Sequence, residues 1–436
     1  MTSDSHTDSL PDRTIAAISW RILPLIGLGY LFSLMDRLNI SMAALQMNAE
    51  LKFSATVYGA GAGAFYLAYA LFEIPSNMLM TKVGARRWLA RIMFTWGILA
   101  ASMMFVKTPF QFYVVRFMLG MAEAGFFPGV VYYLSHWFPR VRRGRAISRF
   151  YFFGPLSSTI MGFASPPLLG LHGAAGLSGW QWLFLVEGLP ATFVGIAIFL
   201  MLPDSPKTST WLTPQQSGWI ERQLDADRKR MRTTEKESLT AALAHPATLR
   251  LGAMGFLAIG SMVTYALSAP LMLKQAGFTS GEIGNLVALG GVLGAIGMLA
   301  TGWISDRQGE RFTSMWIWTT LMGLSFAISA AATSSPKILA AAYLLYGLSW
   351  GSVTLSQVSA WADLLQGRVL ALGCAAINSL SQIGAFLLPL AWGSLADKTG
   401  SFHAGLIGLT IATAIALLLT MELAANTRRT IAAATI

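Results

Sequence analysis

The sequence contains few of the residues on which disulfides, metal sites and catalysis depend. Cys374 is the single cysteine among 436 residues, which excludes an internal disulfide. The five histidines are scattered without the spacing of metal ligands, so we predict no metal site. No Ser/His/Asp constellation stands out, so we do not expect an enzyme. No G-x-x-x-x-G-K-[ST] motif occurs, which argues against a pump driven by ATP.

Charged residues are also scarce, at 12% of the chain, whereas 54% of the residues are hydrophobic and the mean hydropathy is +0.56. Apolar runs of about 20 residues, the length that crosses a bilayer, recur along nearly the whole sequence. Because backbone groups in hydrocarbon must bond within their own segment, runs of this length form helices. We predict an all-α, polytopic membrane protein with twelve transmembrane helices, at roughly residues 20–47, 56–80, 88–106, 109–137, 142–169, 180–202, 248–273, 281–304, 312–333, 337–361, 367–394 and 402–424.

The basic residues indicate how the chain is oriented in the membrane. The net charge is +11, but one side of the predicted bundle receives only Lys52, Lys107, Lys274, Lys337 and Lys398. Apart from two arginines inside spans, all the others fall on the opposite side, which the positive-inside rule places in the cytoplasm. We therefore expect a bacterial-type inner membrane protein with both termini in the cytoplasm. The excess charge reflects topology, and we expect no nucleic-acid partner.

A polar interval from Asp204 to His245 divides the chain. We assign residues 1–203 to a first six-helix bundle, 204–246 to a cytoplasmic linker and 247–436 to a second six-helix bundle. Within the linker, WLTPQQSGWIERQLDADRKRM has apolar residues at near-helical spacing among charges. This pattern is typical of a helix lying on the inner membrane surface, and a solvated tether fits it equally well.

The two halves repeat each other in sequence. TKVGARR follows the second span and SDRQGER the eighth, while RRGRAIS precedes the fifth and LQGRVLA the eleventh. Aligning Gly84 with Gly309 and Gly144 with Gly367 gives shifts that agree to within two residues. The agreement indicates a duplicated six-helix unit. Repeats of this kind place a binding site between the halves, near the bilayer midplane.

The first span, with YLFSLMDRLNIS near its centre, carries charges that are costly in hydrocarbon. At helical spacing Tyr30, Ser33 and Arg37 share one face, while Asp36 and Asn39 share the adjoining face. Charged residues inside a span usually face a bundle interior or a wet cavity and pair with another group. We therefore expect these side chains to lie between helices.

The fourth span carries a matching pair of charges. Arg116, Gly120, Glu123 and Phe127 line up on one face. Gly120 and Ala124 are small enough to let another helix approach closely. Each of two spans therefore supplies one acid and one base.

Together, Asp36, Arg37, Arg116 and Glu123 form a predicted cluster that is neutral when both acids are ionised. A carboxylate entering it adds one negative charge, and protonation of one acid restores the balance. Anion and proton then raise each other's affinity by the same factor, which is the linkage that symport requires. A structural salt bridge between the two helices explains the same residues without transport. The sequence does not decide which acid takes up the proton.

Several motifs resemble those of a known family. GWISDRQGER (302–311) resembles the G-x-x-x-D-R-x-G-R-R loop of the major facilitator superfamily. In order and spacing, DRLNISMA, FEIPSNMLMTKVGARRW, RFMLGMAEAGFFPG, YYLSHWFP and GWQWLFLVEGLPA resemble its anion:cation symporter family, which moves organic anions with protons. The resemblance implies the major facilitator fold, alternating access, the proton as coupling ion and no cofactor.

The resemblance also implies roles for single residues. The arginine at the place of Arg37 binds the substrate carboxylate, the acids matching Asp36 and Glu123 carry protons, and the arginine matching Arg116 couples them. Asn378 matches a family asparagine that contacts substrate. A hydrogen bond between helices is an equal alternative for this residue.

Further polar residues are assigned by their position. We expect Tyr30, Ser356 and Gln357 to line the substrate site together with Arg37 and Asn378. The repeated loops are assigned to gating at the cytoplasmic ends of the halves, through Lys82, Arg86, Asp306, Arg307 and Arg311.

Two departures from the family pattern leave the substrate open. Ser268 and Ala269 precede Pro270 where these symporters usually have an aromatic residue and Leu, and NSLSQ replaces N-S-x-G-N. We therefore expect a small carboxylate, either a tartrate-like hydroxy acid, a sugar acid or an aromatic acid. A passive uniporter or exchanger, or a receptor that senses such compounds, is the alternative. We expect a monomer whose partners are this carboxylate and the lipid bilayer.

Overall fold

The structure, a computed structural model, describes residues 9–231, 246–308, 312–332, 335–364 and 367–434. Within these ranges the chain forms helices and the loops that join them, and no strand. The α-helices are α1 Leu10–Glu50, α2 Ala55–Val83, α3 Ala85–Ser102, α4 Pro109–Glu123, α5 Phe126–Ser135, α6 Arg140–Tyr151, α7 Phe153–Leu169, α8 Gly179–Met201, α9 Pro214–Met231, α10 Pro246–Gln275, α11 Ser280–Gln308, α12 Phe312–Ala331, α13 Pro336–Leu364, α14 Gly367–Thr399 and α15 His403–Ala434.

Each of the twelve predicted spans coincides with a helix or a pair of helices. In the described ranges, eleven segments are long and apolar enough to cross a membrane, and α4 with α5 form one of them. The predicted fifth span corresponds to α6 and α7, which are separated at Phe152. Since α6 carries RVRRGR and α7 alone has 17 residues, neither half meets the length and composition of a span by itself.

The fourth span is broken, whereas the sequence predicts one helix over residues 109–137. α4 ends at Glu123, and Gly125 has a left-handed backbone with φ 87° before α5 begins. This conformation favours glycine because a Cβ atom strains it. The Ser76 hydroxyl donates to the Ala124 carbonyl at 2.6 Å and so replaces a bond lost at the break. Glu123 is therefore the last residue of a half-helix, inside the bundle.

The helices before and after α9 pack mainly among themselves. In the N-terminal set, α3 packs on α8, α2 on α4, and α1 on α7 and α8. In the C-terminal set, α10 packs on α14, α11 on α13, and α12 on α13 and α15. The two sets meet where α2 contacts α14, α7 contacts α11 and α1 contacts α10. The cavity described below lies between these contacts.

The two sets meet most closely at one end of the bundle. We call the end that holds the loops around Gly84 and Pro139 the arginine-rich end, and the other the opposite end. At the opposite end, a Cβ atom on Gly59 would collide with the backbone of α14, and one on Gly162 with the backbone of α11. The Asp397 carboxylate of α14 accepts hydrogen bonds from the first two amides of α2, at 2.9 and 2.8 Å. The helices are therefore in backbone contact there.

The linker helix α9 lies against the bundle at the arginine-rich end. Trp211, just before it, stacks on Trp137 with ring centroids 5.6 Å apart, and Ile220 and Leu224 are buried. The Asp227 carboxylate accepts a hydrogen bond from the first amide of α6 at 2.7 Å. The helix itself agrees with the sequence, but its apolar face is buried on protein. The interpretations as a helix on the membrane surface or a solvated tether are therefore corrected, because aromatic stacking and helix capping hold it to the bundle.

We expect Gly120→Ala to lower the thermal midpoint of the purified protein. A Cβ atom at this position would collide with the Phe65 carbonyl oxygen of α2, so α4 would have to move. Overpacking of this kind costs about 1–3 kcal/mol. Gly144→Ala in α6 is the matched control, because no atom lies within 4 Å of the added Cβ. Equal midpoints for the two variants would contradict the close packing of α2 on α4.

Candidate functional site

A cavity of about 540 Å³ lies between the N-terminal and C-terminal helices. Its volume is within the range of small-molecule sites. Its walls come from α1, α2, α4, α5, α6 and α7 on one side and from α10, α11, α13 and α14 on the other. Of the residues assigned to the site from sequence, those that line the cavity are Tyr30, Arg37, Glu123, Gln357 and Asn378.

Arg37 and Glu123 form an ion pair on the cavity wall. The Arg37 Nε and Nη2 atoms both donate to Glu123 Oε1, at 3.0 and 2.6 Å, and the Ser33 hydroxyl donates to the same oxygen at 2.8 Å. The Arg37 side chain is 21% exposed and that of Glu123 is 0% exposed. Glu123 Oε2 is buried and has no hydrogen-bond partner among the described residues. The pair therefore joins α1 to the end of α4 by charge-assisted bonds, and its cationic partner is open to the cavity.

Aromatic rings of α2 cover the arginines. The Phe65 ring lies 5.3 Å from the Arg37 guanidinium carbon and 4.9 Å from that of Arg116, and Tyr69 lies 5.0 Å from that of Arg37. Such contacts attract a cation to the ring face. Phe65, Tyr69 and Glu73 recur every fourth residue on α2. Phe65 and Tyr69 are absent from the predicted site, although their spacing from Glu73 was a usable signal in the sequence.

Arg116 and Asp36 are buried behind the cavity wall. Arg116 is 1% exposed, and its Nη2 atom donates to the Ala62 carbonyl at 3.4 Å. Its Nε and Nη1 atoms have no hydrogen-bond partner in the part of the chain that the structure describes. Asp36 accepts from the Asn39 amide at 3.1 Å and from the Trp96 indole at 3.2 Å. Among the described residues neither forms a direct ion pair, although each acts on the other electrostatically. The predicted four-residue cluster is therefore divided into a cavity pair and a buried pair.

On the C-terminal wall, Asn378 reaches across the interface between the two sets of helices. Its Nδ2 atom donates to both oxygens of Glu73 in α2, at 2.9 and 2.8 Å. Both side chains line the cavity. Gln357 lines the cavity, but Ser356 does not. The Ser356 hydroxyl instead donates to the Ser352 carbonyl of its own helix at 2.8 Å, so its assignment as a lining residue is corrected.

The gating residue of the N-terminal half contacts its own half. Arg86 lies 3.2 Å from the Asp204 carboxylate and donates to the Leu202 carbonyl at 3.2 Å, so it ties the start of α3 to the end of α8. Lys82 is exposed. Within the described part of the chain, these contacts stay inside the N-terminal set of helices, so a role in gating stays a prediction.

The corresponding residue of the C-terminal half also contacts its own helix. Arg307 is exposed and lies 5.3 Å from the ring of Trp303 in α11. The side chain of Asp306 and the whole of Arg311 lie outside the described residues. Their predicted gating roles therefore stay predictions as well.

Comparison with known proteins identifies the family. Residues 26–389 match the sequence profile of the Major Facilitator Superfamily. The chain belongs to the major facilitator superfamily. Its members are transporters rather than enzymes, so the predicted fold, the multi-pass membrane character and the transporter class are confirmed.

Two relatives and one solved structure illustrate the similarity. The chain is 38% identical to a "Putative tartrate transporter" of Agrobacterium vitis over 98% of this chain and 94% of the relative. It is 34% identical to a "Quinolone resistance transporter" of Acinetobacter baumannii over 95% of this chain and 96% of the relative. The xylose transporter XylE from E. coli, in a partially occluded inward open conformation, is 14% identical, with a TM-score of 0.73 over 93% of this chain and 98% of XylE. This last likeness concerns the fold.

We expect Asp36→Asn and Arg116→Gln each to lower the thermal midpoint. The double variant that carries both changes should lose less than either single variant. Each single change leaves one buried charge without its counter-charge, and the double change removes both. Coupling between neighbouring buried groups is typically about 0.5–3 kcal/mol. A double-mutant cycle on the purified protein measures it. Simple additivity of the two losses would mean that Asp36 and Arg116 do not compensate each other.

Proposed function

We propose that this protein is a secondary active transporter that imports a small organic anion by proton symport. The observation that carries the proposal is the Arg37–Glu123 ion pair on the cavity wall. Arg37 is the one cationic residue among the described residues that line the cavity, and Glu123 occupies two of its donors. A substrate carboxylate therefore has to compete with Glu123 for the guanidinium.

Protonation of Glu123 ends this competition. A neutral carboxyl binds a guanidinium less strongly than a carboxylate does, so two donors become available to the substrate. The charge of the wall also balances, because the proton offsets the negative charge that the substrate brings into a poorly solvated site. Anion and proton then favour each other's binding, and the empty cavity keeps its own internal pair.

The chemistry of the walls supports a carboxylate as substrate. The planar guanidinium fork of Arg37 matches a carboxylate and stays charged at any physiological pH. Tyr30, Phe127, Tyr151, Tyr343 and Tyr346 give the cavity broad aromatic surfaces. Such surfaces suit the apolar face of a sugar acid or the ring of an aromatic acid. The relative named for tartrate transport supports an organic acid, which includes hydroxy acids.

The arrangement of the halves supports alternating access. The halves are in backbone contact at the opposite end, through Gly59, Gly162 and Asp397. The cavity lining extends towards the arginine-rich end as far as Trp361 and Cys374. We propose that the halves rock about the substrate site, and that the arginine-rich end faces the cytoplasm of a bacterial-type inner membrane.

We expect Glu123→Gln to abolish accumulation driven by a pH gradient and to retain exchange of labelled substrate. Glutamine cannot take up the proton, but it leaves Arg37 able to bind a carboxylate. Uptake and counterflow in proteoliposomes with an alkaline interior measure the two activities. Glu282→Gln, an exposed acid at the start of α11, is the matched control and should keep both. Accumulation by Glu123→Gln equal to that of the wild type would remove Glu123 from proton coupling.

The same vesicles test the choice of substrate with a panel of carboxylates and neutral sugars. We expect carboxylates to enter and neutral sugars to be excluded, since the guanidinium of Arg37 selects for negative charge. Arg37→Gln should lose carboxylate uptake. Entry of sugars without acids would overturn the proposal. Equilibration without accumulation in the wild type would indicate a uniporter or exchanger, and binding without flux would indicate a receptor.

A further inference from the structure

Glu73 is an acid of the cavity wall that the mechanism above does not use. It lies in α2 and is 5% exposed, and its carboxylate faces the cavity. Both of its oxygens accept from the Asn378 amide of α14, at 2.9 and 2.8 Å. Within the described part of the chain, Glu73 bonds to no cation. The Asn378 amide donates to both oxygens, which is the contact that an ionised carboxylate makes, and the remaining lone pairs of Glu73 can accept further hydrogen bonds.

The charges of the cavity are distributed unevenly as a result. Its charged lining residues, among those that the structure describes, are Arg37, Glu73 and Glu123. Arg37 belongs to the pair with Glu123, so the wall at Glu73 has no cation of its own. A second carboxylate on a substrate would therefore find no cation at this wall and would be repelled by Glu73.

The distance along α2 fits one small molecule between the two positions. Tyr69 lies 5.0 Å from the Arg37 guanidinium carbon, and Glu73 follows Tyr69 by four residues. Four residues advance a helix by about 6 Å on the same face. A substrate whose carboxylate binds Arg37 can therefore place a group about 6 Å away next to Glu73.

The hydrogen-bonding capacity of Glu73 and Asn378 determines which substrate group can bind next to them. The Asn378 N–H is directed at Glu73, so what remains for a ligand is the free lone pairs of Glu73 and the carbonyl oxygen of Asn378. These are all acceptors. A hydroxyl or an N–H of the substrate satisfies them, whereas a carboxylate brings further acceptors and a like charge.

We propose that Glu73 and Asn378 form a second substrate subsite that binds a hydrogen-bond donor and rejects a second carboxylate. The substrate is then a monocarboxylate with a hydroxyl or N–H group about 6 Å from its carboxylate. A hydroxylated monoacid fits this description, and a dicarboxylic hydroxy acid such as tartrate does not. The inference rests on the proposed function, because it requires Arg37 to hold the carboxylate.

Matched pairs of acids test the subsite. D-gluconate and D-glucarate differ in a terminal hydroxyl against a carboxylate, and 4-hydroxybenzoate and terephthalate differ in the same way across a ring. Dissociation constants are measured by titration calorimetry on the purified full-length protein. We expect the hydroxylated member of at least one pair to bind about tenfold more tightly than its dicarboxylate, since a donor-binding site rejects an analogue that leaves its acceptors unpaired.

Glu73→Gln removes the charge while it keeps the size of the side chain. In this variant we expect the preference for the hydroxylated acid over its dicarboxylate to fall below about threefold, because the glutamine amide offers a donor to the second carboxylate. Glu73→Asp, which keeps the charge, is the matched control and should retain a preference for the hydroxylated acids. If Glu73→Gln does not fold, the ratio of the two dissociation constants in the wild type still tests the proposal.

The outcomes separate this inference from the proposed function. A wild-type preference for the dicarboxylates, or a ratio that Glu73→Gln leaves unchanged, would overturn the subsite and leave the proposed function intact. Arg37→Gln should weaken both members of a pair. If Arg37→Gln leaves all four affinities unchanged, the proposed function fails. If none of the four acids binds the wild type, the subsite proposal fails, and the uptake panel of carboxylates decides the proposed function.

Discussion

The ion pair between Arg37 and Glu123 is the interaction on which the rest of the cavity depends. A charge in the middle of a membrane bundle persists when a counter-charge and hydrogen bonds surround it. Here three donors converge on one oxygen of Glu123, and the second oxygen has no hydrogen-bond partner within the described ranges. α4 ends at Glu123, and Gly125 allows this end with its left-handed backbone. The acid that pairs with Arg37 therefore stands at the break of the fourth span.

Behind the pair, the guanidiniums of Arg37 and Arg116 share one aromatic neighbour on α2. The Phe65 ring lies about 5 Å from both, so each cation meets the electron-rich face of the same side chain. Arg116 is compensated from further away by Asp36, which Trp96 and Asn39 hold in place. Both arginines contact α2 in this buried layer, and α2 in turn carries Tyr69 and Glu73 to the cavity.

Helical spacing and hydropathy predict the spans and the faces of Arg37 and Glu123, because both follow from local sequence. The break at Gly125 escapes this reasoning, since a glycine inside a membrane helix leaves the apolar pattern intact. Ser356 has the position of a lining residue, but its hydroxyl bonds to its own backbone. The Glu73–Asn378 contact joins residues 305 positions apart, and no local pattern encodes such a pair. The place of α9 on the bundle likewise depends on tertiary contacts of Trp211 and Asp227.

The two kinds of contact between the halves differ in a way that suits movement. At the opposite end, glycines bring backbones together, and Asp397 accepts hydrogen bonds from the first amides of α2. The Tyr58 hydroxyl donates to the Leu267 carbonyl and the Thr159 hydroxyl to the Ala288 carbonyl across the same interface. The side chains of Tyr58, Thr159 and Asp397 do not line the cavity. The Glu73–Asn378 link is polar and faces the cavity, so separating it exposes groups that a bound molecule can satisfy. The cavity wall is therefore the place where binding of a ligand has the strongest influence on how the halves are arranged.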